Sequence, residues 1–195
     1  MTRLLAIVVL ALALAGCGDD DQAASTKPSS PPSMETTADC MPIPGASMDA
    51  KKSPANDNAE TMYLTNVTLS STDCSDKVVF DFEEQAPGPG FDISYQPAST
   101  AKVEDGSGNA VEIDGDAFLV VRLTPAMTAK IDGEQVTKTY TGPKRLPQDP
   151  DSAVRDVVKT GDFEAQVTWV LGLDEDRPFK IAATDSSLTV EIDRS

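Results

Sequence analysis

The feature that most restricts the fold is a succession of short apolar runs between residues 61 and 195, separated by turn-forming clusters of Gly, Pro and Asp. The runs 62–70 and 91–95 alternate apolar and polar residues, which is typical of a half-buried β-strand. Residues 117–124 are apolar on both faces and indicate a central strand. Strands at this spacing predict an all-β sandwich, and about 135 residues are enough to bury its core.

Two further runs add detail to this prediction. Residues 163–173 place Phe163, Trp169 and Leu171 on one side, which predicts a single strand with Trp169 in the core. The alternative is an exposed Trp169 that serves as a platform for a sugar. Residues 151–160 carry three valines whose spacing fits a short helix as well as a strand, so we expect at most one short helix.

The first 16 residues have the pattern of a bacterial lipoprotein signal peptide. One positive charge at Arg3 precedes an apolar run over residues 4–14, which is shorter than the roughly 20 residues that span a bilayer. The run ends in Leu-Ala-Gly-Cys at Cys17, which resembles the lipobox. We therefore expect cleavage before Cys17, acylation of its sulfur by palmitate or a similar chain, and anchoring to the extracytoplasmic face of the cell membrane. A secreted protein with an incidental cysteine is the alternative.

Residues 17–60 form a region of different composition. After Cys17 they contain six Pro, many Ser, Thr and Asp, and few aliphatic residues. Such a segment cannot bury enough apolar surface to offset the entropy lost on folding. We therefore expect a disordered tether over 17–60 and a folded domain over 61–195.

Two cysteines remain once Cys17 carries the lipid. Cys74 lies in a turn-like stretch between two predicted strands, and Cys40 lies in the tether. An even pair outside the cytoplasm predicts a Cys40–Cys74 disulfide, while two free thiols or an intermolecular bridge are the alternatives. Closing a loop of about 35 residues would stabilise the fold by roughly 3–4 kcal/mol.

Charge and residue content exclude several functions. The chain has no histidine, which removes Ser-His-Asp and Cys-His nucleophiles and histidine zinc sites. Its 16 basic and 32 acidic residues give a net charge of −16, which argues against nucleic acid as a partner. We expect no cofactor, no metal site and no enzymatic activity.

One loop deserves comparison with a calcium site. Asp105, Ser107, Asn109 and Asp116 occupy positions 1, 3, 5 and 12 of such a loop, but Ala110 stands where the sharp turn needs Gly. A plain hairpin turn is therefore the prediction.

Arg122 and Tyr95 are the candidate ligand-binding residues. Arg122 lies between Val121 and Leu123 on the doubly apolar strand, where a buried charge needs a partner. That partner is a structural carboxylate, a carboxylate of a ligand, or solvent near the end of the strand. Tyr95 is an aromatic residue of a half-buried strand.

Several segments resemble the AMIN-like domain of actinobacterial lipoproteins. They are PGFDISY at 89–95, VRLTPA at 121–126, GDFEAQVTWVLGL at 161–173, PFKI at 178–181 and LTVEI at 188–192. The resemblance covers residues 62–193, with Ala165 at a position where the family pattern leads us to expect Gly and Thr189 where an aliphatic residue is usual. It implies a lipid-anchored β-sandwich. AMIN domains proper associate with peptidoglycan and localise amidases and secretins in the envelope.

The resulting prediction is a non-enzymatic binding module of the bacterial cell envelope, attached to the membrane by its lipid. It would recognise a cell-wall glycan or an envelope protein. One alternative is an accessory or structural subunit of an envelope complex. Another is a hydrolase that uses carboxylates alone, with pairs such as Asp174 and Asp176 or Glu83 and Glu84.

Overall fold

A computed structural model describes residues 39–53, 60–83 and 90–195. The predicted signal peptide, Cys17 and the tether up to residue 38 lie outside the described residues. The described residues form twelve strands and one short helix: β1 Lys51–Lys52, β2 Met62–Ser71, β3 Ser75–Phe82, β4 Phe91–Tyr95, α1 Ala98–Ala101, β5 Ala117–Leu123, β6 Ala126–Met127, β7 Ala129–Asp132, β8 Gln135–Lys138, β9 Val154–Phe163, β10 Gln166–Leu173, β11 Phe179–Ala183 and β12 Ser187–Asp193.

The strands form two five-stranded sheets and a separate hairpin. Sheet one has the order β1-β4-β5-β10-β9, sheet two has the order β11-β12-β3-β2-β6, and β7 pairs with β8 alone. Neighbouring strands are antiparallel except for β2 and β6, which are parallel. The predicted all-β sandwich is confirmed. The one short helix of the described residues is α1, and it does not lie in the segment 151–160 where a helix was considered.

The main core lies between the inner faces of the two sheets. Alternate residues of each strand point inward because successive side chains of a strand face opposite ways. Trp169 is fully buried there, with its ring edge-on to Phe80 and to Tyr140 at centroid distances of 6.0 and 5.7 Å. The predicted core position of Trp169 is therefore confirmed, and the exposed sugar platform is excluded.

Part of the outer face of sheet one is also covered. A second cluster joins Phe118 and Val120 of β5 with Ala101 of α1 and Ile113 of the loop that follows. The strand predicted to be apolar on both faces is thus buried on both faces. Arg122 lies on the same outer face, but it is not part of this cluster and is only half-buried.

The single strand predicted over 163–173 is wrong, because β9 and β10 form a hairpin within it. Phe163 pairs with Gln166, which leaves a two-residue turn of Glu164 and Ala165 with φ of 51° and 56°. Positive φ at both central residues is characteristic of a type I′ turn, whose twist matches that of the two paired strands. Phe163 ends β9 with 58% of its surface exposed, away from Trp169. Residues 154–160 of the ambiguous valine segment belong to strand β9.

Residues 39–53, which the sequence analysis placed in the tether, lie on the folded body. The predicted Cys40–Cys74 disulfide is present. Backbone amides hold the rest of the segment: Ser47 and Phe179 exchange two hydrogen bonds of 3.1 Å, and β1 pairs with β4. Composition does not reveal this attachment because main-chain hydrogen bonds do not depend on side-chain type.

The sandwich has two distinguishable ends. The disulfide end contains the Cys74 turn and the start of β9, where the Asp76 carboxylate accepts hydrogen bonds from the amides of Ala153 and Val154 at 2.7 and 3.3 Å. The hairpin end contains the β9–β10 turn and the β7–β8 hairpin. In sheet one, Leu173 pairs with Ala117 and Val167 pairs with Leu123. Leu173 and Ala117 therefore lie toward the disulfide end, and Val167 and Leu123 lie toward the hairpin end.

Candidate functional site

A row of side chains crosses sheet one near the hairpin end. The Cα registers pair Lys52 with Asp92, Asp92 with Arg122, Arg122 with Thr168, and Thr168 with Gly161. We call these five positions the polar row. Each position is the cross-strand neighbour of the next, on five different strands. The polar row therefore runs perpendicular to the strands.

The polar row faces away from the main core. Val121 and Leu123, which flank Arg122, are fully buried between the sheets, and alternation along a strand then turns Arg122 outward. The Lys52 ammonium lies 3.3 Å from the Asp92 carboxylate on the same side. Within the described ranges, Arg122 has no carboxylate within 4.0 Å, so the structural ion pair considered from the sequence is not formed there.

A β-bulge ends the row at β9. Trp169 pairs with Lys159 whereas Thr168 pairs with Gly161, so Thr160 is an extra residue in β9. Bulges bend a strand and redirect its side chains, and they are common beside binding sites.

Gly161 lets the neighbouring loop approach β9 closely. A Cβ atom at position 161 would lie 2.1 Å from Oδ2 of Asp105, so a larger residue there would displace that carboxylate. The Asp105 amide donates to the Thr160 carbonyl at 3.0 Å. Gln166 extends its Nε2 to Oδ2 of Asp105 at 3.5 Å and to Oγ1 of Thr168 at 3.3 Å, which connects the loop to the polar row.

The bulge and this loop enclose a polar cleft of about 270 Å³. Its lining residues come from the loop, from β9 and from the segment before β9: Glu104, Asp105, Ser107, Lys144, Lys159, Thr160, Gly161 and Asp162.

Most charges of the cleft are paired with one another. The Lys159 ammonium lies 3.1 Å from the Asp162 carboxylate, and the Lys144 ammonium lies 3.7 Å from that of Glu104. The Thr128 hydroxyl also donates to Asp162. Asp105 is exposed and, in the part of the chain that the structure describes, has no lysine or arginine within 4.0 Å. The cleft therefore offers a carboxylate with free acceptor capacity beside neutral donors.

An aromatic ring stands next to the cleft. Phe163 is exposed, and its Cγ would lie 3.9 Å from a Cβ built on Gly106 in the loop that carries Asp105. An exposed ring beside polar groups can pack against the apolar face of a ligand while the polar groups orient it.

Tyr95 and Arg122 lie on opposite faces of sheet one. Tyr95 pairs with Leu119 toward the disulfide end, and its ring packs edge-on against Phe179 at 6.0 Å. Its hydroxyl donates to the Arg177 carbonyl at 2.7 Å and accepts from the Arg177 amide at 2.9 Å. Burial raises the pKa of Tyr95, so the hydroxyl keeps its proton. The two candidate residues named from the sequence therefore do not form one site.

The would-be calcium loop is a turn closed by a bridge between Val103 and Ala110. Asp105 and Ser107 reach the cleft, whereas Asp116 lies near Leu173 at the other end of β5. In the described ranges no three His, Cys, Asp or Glu side chains are grouped in a way that could hold a metal ion.

The carboxylates considered for acid–base chemistry have other partners. Asp174 receives hydrogen bonds from Arg177 at 2.8 and 3.0 Å, which lower the pKa of this carboxyl group. Glu83 lies 2.6 Å from the Lys130 ammonium, and Glu84 lies outside the described residues.

Sequence reasoning missed most of the cleft. Lys144, Lys159 and Glu104 carry no local pattern that separates them from other surface charges. Asp105 and Ser107 were noted only as part of a calcium-like loop, and Gly161 lies between two predicted segments, where a glycine does not stand out.

The described residues therefore form a β-sandwich with a polar band and a cleft on one sheet. Residues 62–194 match the AMIN-like domain, and the chain belongs to that family, whose members are envelope-associated and non-catalytic. No curated protein and no solved structure matches the chain. Among the described residues, no helix is long and apolar enough to cross a membrane.

Proposed function

We propose that this protein is a lipid-anchored binding module on the extracytoplasmic face of a bacterial membrane, and that it recognises a cell-wall glycan through the polar row and the cleft. The observation that carries the proposal is the polar row itself, in which four side chains and Gly161, from five strands, lie at one level on the outer face of sheet one. No catalytic step is required of these residues.

The chemistry of the site suits sugar hydroxyl groups, which both donate and accept hydrogen bonds. Asp105 accepts, Gln166 donates and accepts, and Ser107 has a hydroxyl that does both. Phe163 supplies an exposed ring for the C–H face of a sugar.

Anchoring would proceed through Cys17, with the chain joining the body at the Cys40–Cys74 disulfide. A flexible segment over residues 18–39 would reach roughly 25 Å. Cys40, where the described chain is attached to the body, lies at the disulfide end, whereas the polar row and the cleft lie near the hairpin end.

The anchor is tested by labelling growing cells with a palmitate analogue. We expect the label on the wild-type protein, and Cys17→Ser should lose both the label and the membrane association. A Cys17→Ser protein that stays in the membrane fraction would contradict the lipid anchor.

Glycan recognition is tested with full-length protein solubilised in detergent and mixed with purified cell-wall sacculi. We expect co-sedimentation, and Asp105→Asn should weaken it at least about threefold. Asp116→Asn is the matched control, because this aspartate is exposed at the other end of β5. Equal loss with both variants, or no sedimentation of the wild type, would refute recognition through the cleft.

A protein partner is the second candidate function, favoured by the β7–β8 hairpin. Ile131 and Val136 face each other across the two strands, and each is 62% exposed. Exposed apolar pairs of this kind occur where proteins dock. A photo-crosslinker at position 136 that captures one envelope protein in a fixed ratio, with no retention by sacculi, would favour an accessory subunit. Turnover of cell-wall fragments by the wild type would instead support the carboxylate-only hydrolase.

A further inference from the structure

Arg122 differs from the other arginines of the described residues. Arg145, Arg155, Arg177 and Arg194 each have a carboxylate oxygen within 4.0 Å, whereas Arg122 has none among the described residues. The contrast is informative because the chain has twice as many acidic as basic residues, so carboxylate partners are plentiful.

The nearest acidic neighbour in the sheet is already engaged. Asp92 is the cross-strand partner of Arg122 on β4, and its carboxylate lies 3.3 Å from the Lys52 ammonium on the far side. On the other side, Arg122 faces Thr168, whose hydroxyl accepts a hydrogen bond from Gln166. No hydrogen bond from the Arg122 side chain to another described residue is formed.

The Arg122 residue is also partly shielded from solvent. Arg122 is half-buried on the outer face of sheet one, beside the cluster that contains Val120 and Phe118. Its planar fork of donors matches a carboxylate through two parallel hydrogen bonds, and such pairs are stronger where water is partly excluded.

A second unpaired charge lies on the same level of the sheet. Asp105 sits over Gly161, two strands away from Arg122, which corresponds to roughly 10 Å between the strands. A ligand that reaches both positions is elongated and lies across the strands. Its end at Arg122 carries an anionic group, while its end at Asp105 carries hydrogen-bond donors.

The geometry points to Arg122 as the anchor for a carboxylate group of the bound glycan, so that the site selects an acidic saccharide over a neutral one. This inference rests on the proposed function. The carboxylate belongs either to a sugar of the strand or to a peptide attached to it. The net charge of −16 disfavours non-specific binding of anions, so selection depends on the local guanidinium group.

The test compares three glycan probes on full-length protein in detergent. The first is a neutral oligomer of N-acetylglucosamine. The second is a peptide-free strand of alternating N-acetylglucosamine and N-acetylmuramic acid with free lactyl carboxylates. The third is the same strand with its peptides attached. We expect the wild type to bind a carboxylate-bearing probe at least about tenfold more tightly than the neutral oligomer, and the second and third probes distinguish the two sources of the carboxylate.

Arg122→Gln should reduce that preference to less than about twofold, because it should lower the affinity for the carboxylate-bearing probe more than the affinity for the neutral oligomer. Arg122→Lys keeps the charge but loses the fork, so an intermediate preference is expected. Arg155→Gln is the matched control. It removes a guanidinium group at the start of β9, away from Gly161 and the polar row, and should retain the wild-type preference. Thermal unfolding of each variant verifies that it is folded.

The possible failures are separable. A wild type that binds all three probes equally would overturn the role of Arg122 and leave glycan recognition intact. An Arg122→Gln variant that loses the neutral and acidic probes to the same extent would also overturn it. A wild type that binds none of the probes would refute glycan recognition, and the inference would fail with it.

Discussion

The two ends of the sandwich use their charged groups differently. At the disulfide end, the Asp76 carboxylate is fully buried, accepts two backbone hydrogen bonds and lies 3.3 Å from the Arg194 guanidinium. Near the hairpin end, Arg122 and Asp105 have no oppositely charged partner in the described part of the chain. The charged groups of the disulfide end are therefore paired within the fold, whereas the hairpin end combines ion pairs with two charged side chains, Arg122 and Asp105, that have no such partner among the described residues.

Because of this difference, substitutions at the two ends should affect different quantities, the free energy of unfolding at one end and ligand affinity at the other. Substitutions at the disulfide end should lower the free energy of unfolding, because they leave buried groups without partners. Substitutions of Arg122 and Asp105 should change affinity with little effect on stability, because neither side chain has an oppositely charged partner among the described residues. The following predictions test that separation.

The largest effect is expected for Asp76→Ala, which leaves two buried amides and Arg194 without their acceptor. We expect the free energy of unfolding to fall by about 3–5 kcal/mol, measured by urea denaturation. Asp105→Ala in the cleft is the comparison and should cost less than about 0.5 kcal/mol. Similar losses for the two variants would contradict the contrast between the ends.

Removal of the disulfide should have the next largest effect. The double variant Cys40→Ser, Cys74→Ser frees a loop with a sequence separation of 34, and we expect a loss of about 2–4 kcal/mol in urea. Reduction of the wild type should give the same unfolding midpoint. A midpoint that does not change would mean that residues 39–53 are held by their backbone hydrogen bonds alone.

Low pH should reduce the free energy of unfolding through protonation of Asp174, which lies at the disulfide end. Hydrogen bonds from Arg177 lower the pKa of this carboxyl group in the folded state, so the stabilisation is complete above the unfolded pKa of about 3.9 and is lost as the pH falls through the folded value. Arg177→Gln should cost about 1 kcal/mol or less near pH 7 and make the decline below about pH 4 shallower.

Unfolding free energies measured from neutral to acidic pH provide this comparison. Asp116→Asn, at an exposed position, should decline in parallel with the wild type. If Arg177→Gln also declined in parallel, the Asp174–Arg177 pair would not contribute to the acid sensitivity.

The smallest effect is a gain at the hairpin end. Ala165 has φ of 56° in the β9–β10 turn, a conformation that glycine adopts without a steric penalty. We expect Ala165→Gly to raise the free energy of unfolding by about 0.5–1 kcal/mol, measured by thermal and urea unfolding. Ala183→Gly, at the end of β11, should be destabilising instead, and a loss with both variants would argue against the turn geometry.

Local sequence patterns predicted the presence of strands better than the residues at which they begin and end. Alternation identified 62–70 and 91–95 correctly because it depends only on which face is buried. The β9–β10 turn was missed because Glu164 and Ala165 are ordinary strand-compatible residues without an Asn-Gly or Asp-Gly signal. Residues 39–53 were missed because their attachment depends on backbone hydrogen bonds to distant strands.

The candidate residues show the same division. The core position of Trp169 follows from its neighbours Val167 and Leu171. Arg122 was expected as a buried charge because its strand is apolar on both faces, whereas the structure leaves it half-buried. The absence of a carboxylate beside Arg122 in the described residues could not be inferred, because it depends on which strands flank β5. The two hydrogen bonds of the Tyr95 hydroxyl likewise involve a loop 82 residues away.

By itself, the sequence determined the fold class, the pair of cysteines that form the disulfide and the burial of Trp169, because each depends on a local periodicity or on residue counts. Only the tertiary structure decided that Lys52, Asp92, Arg122 and Thr168 lie in one row and that Asp105 lies over Gly161. These groups are distant in the chain, and they meet because of strand order and register, which no local pattern specifies.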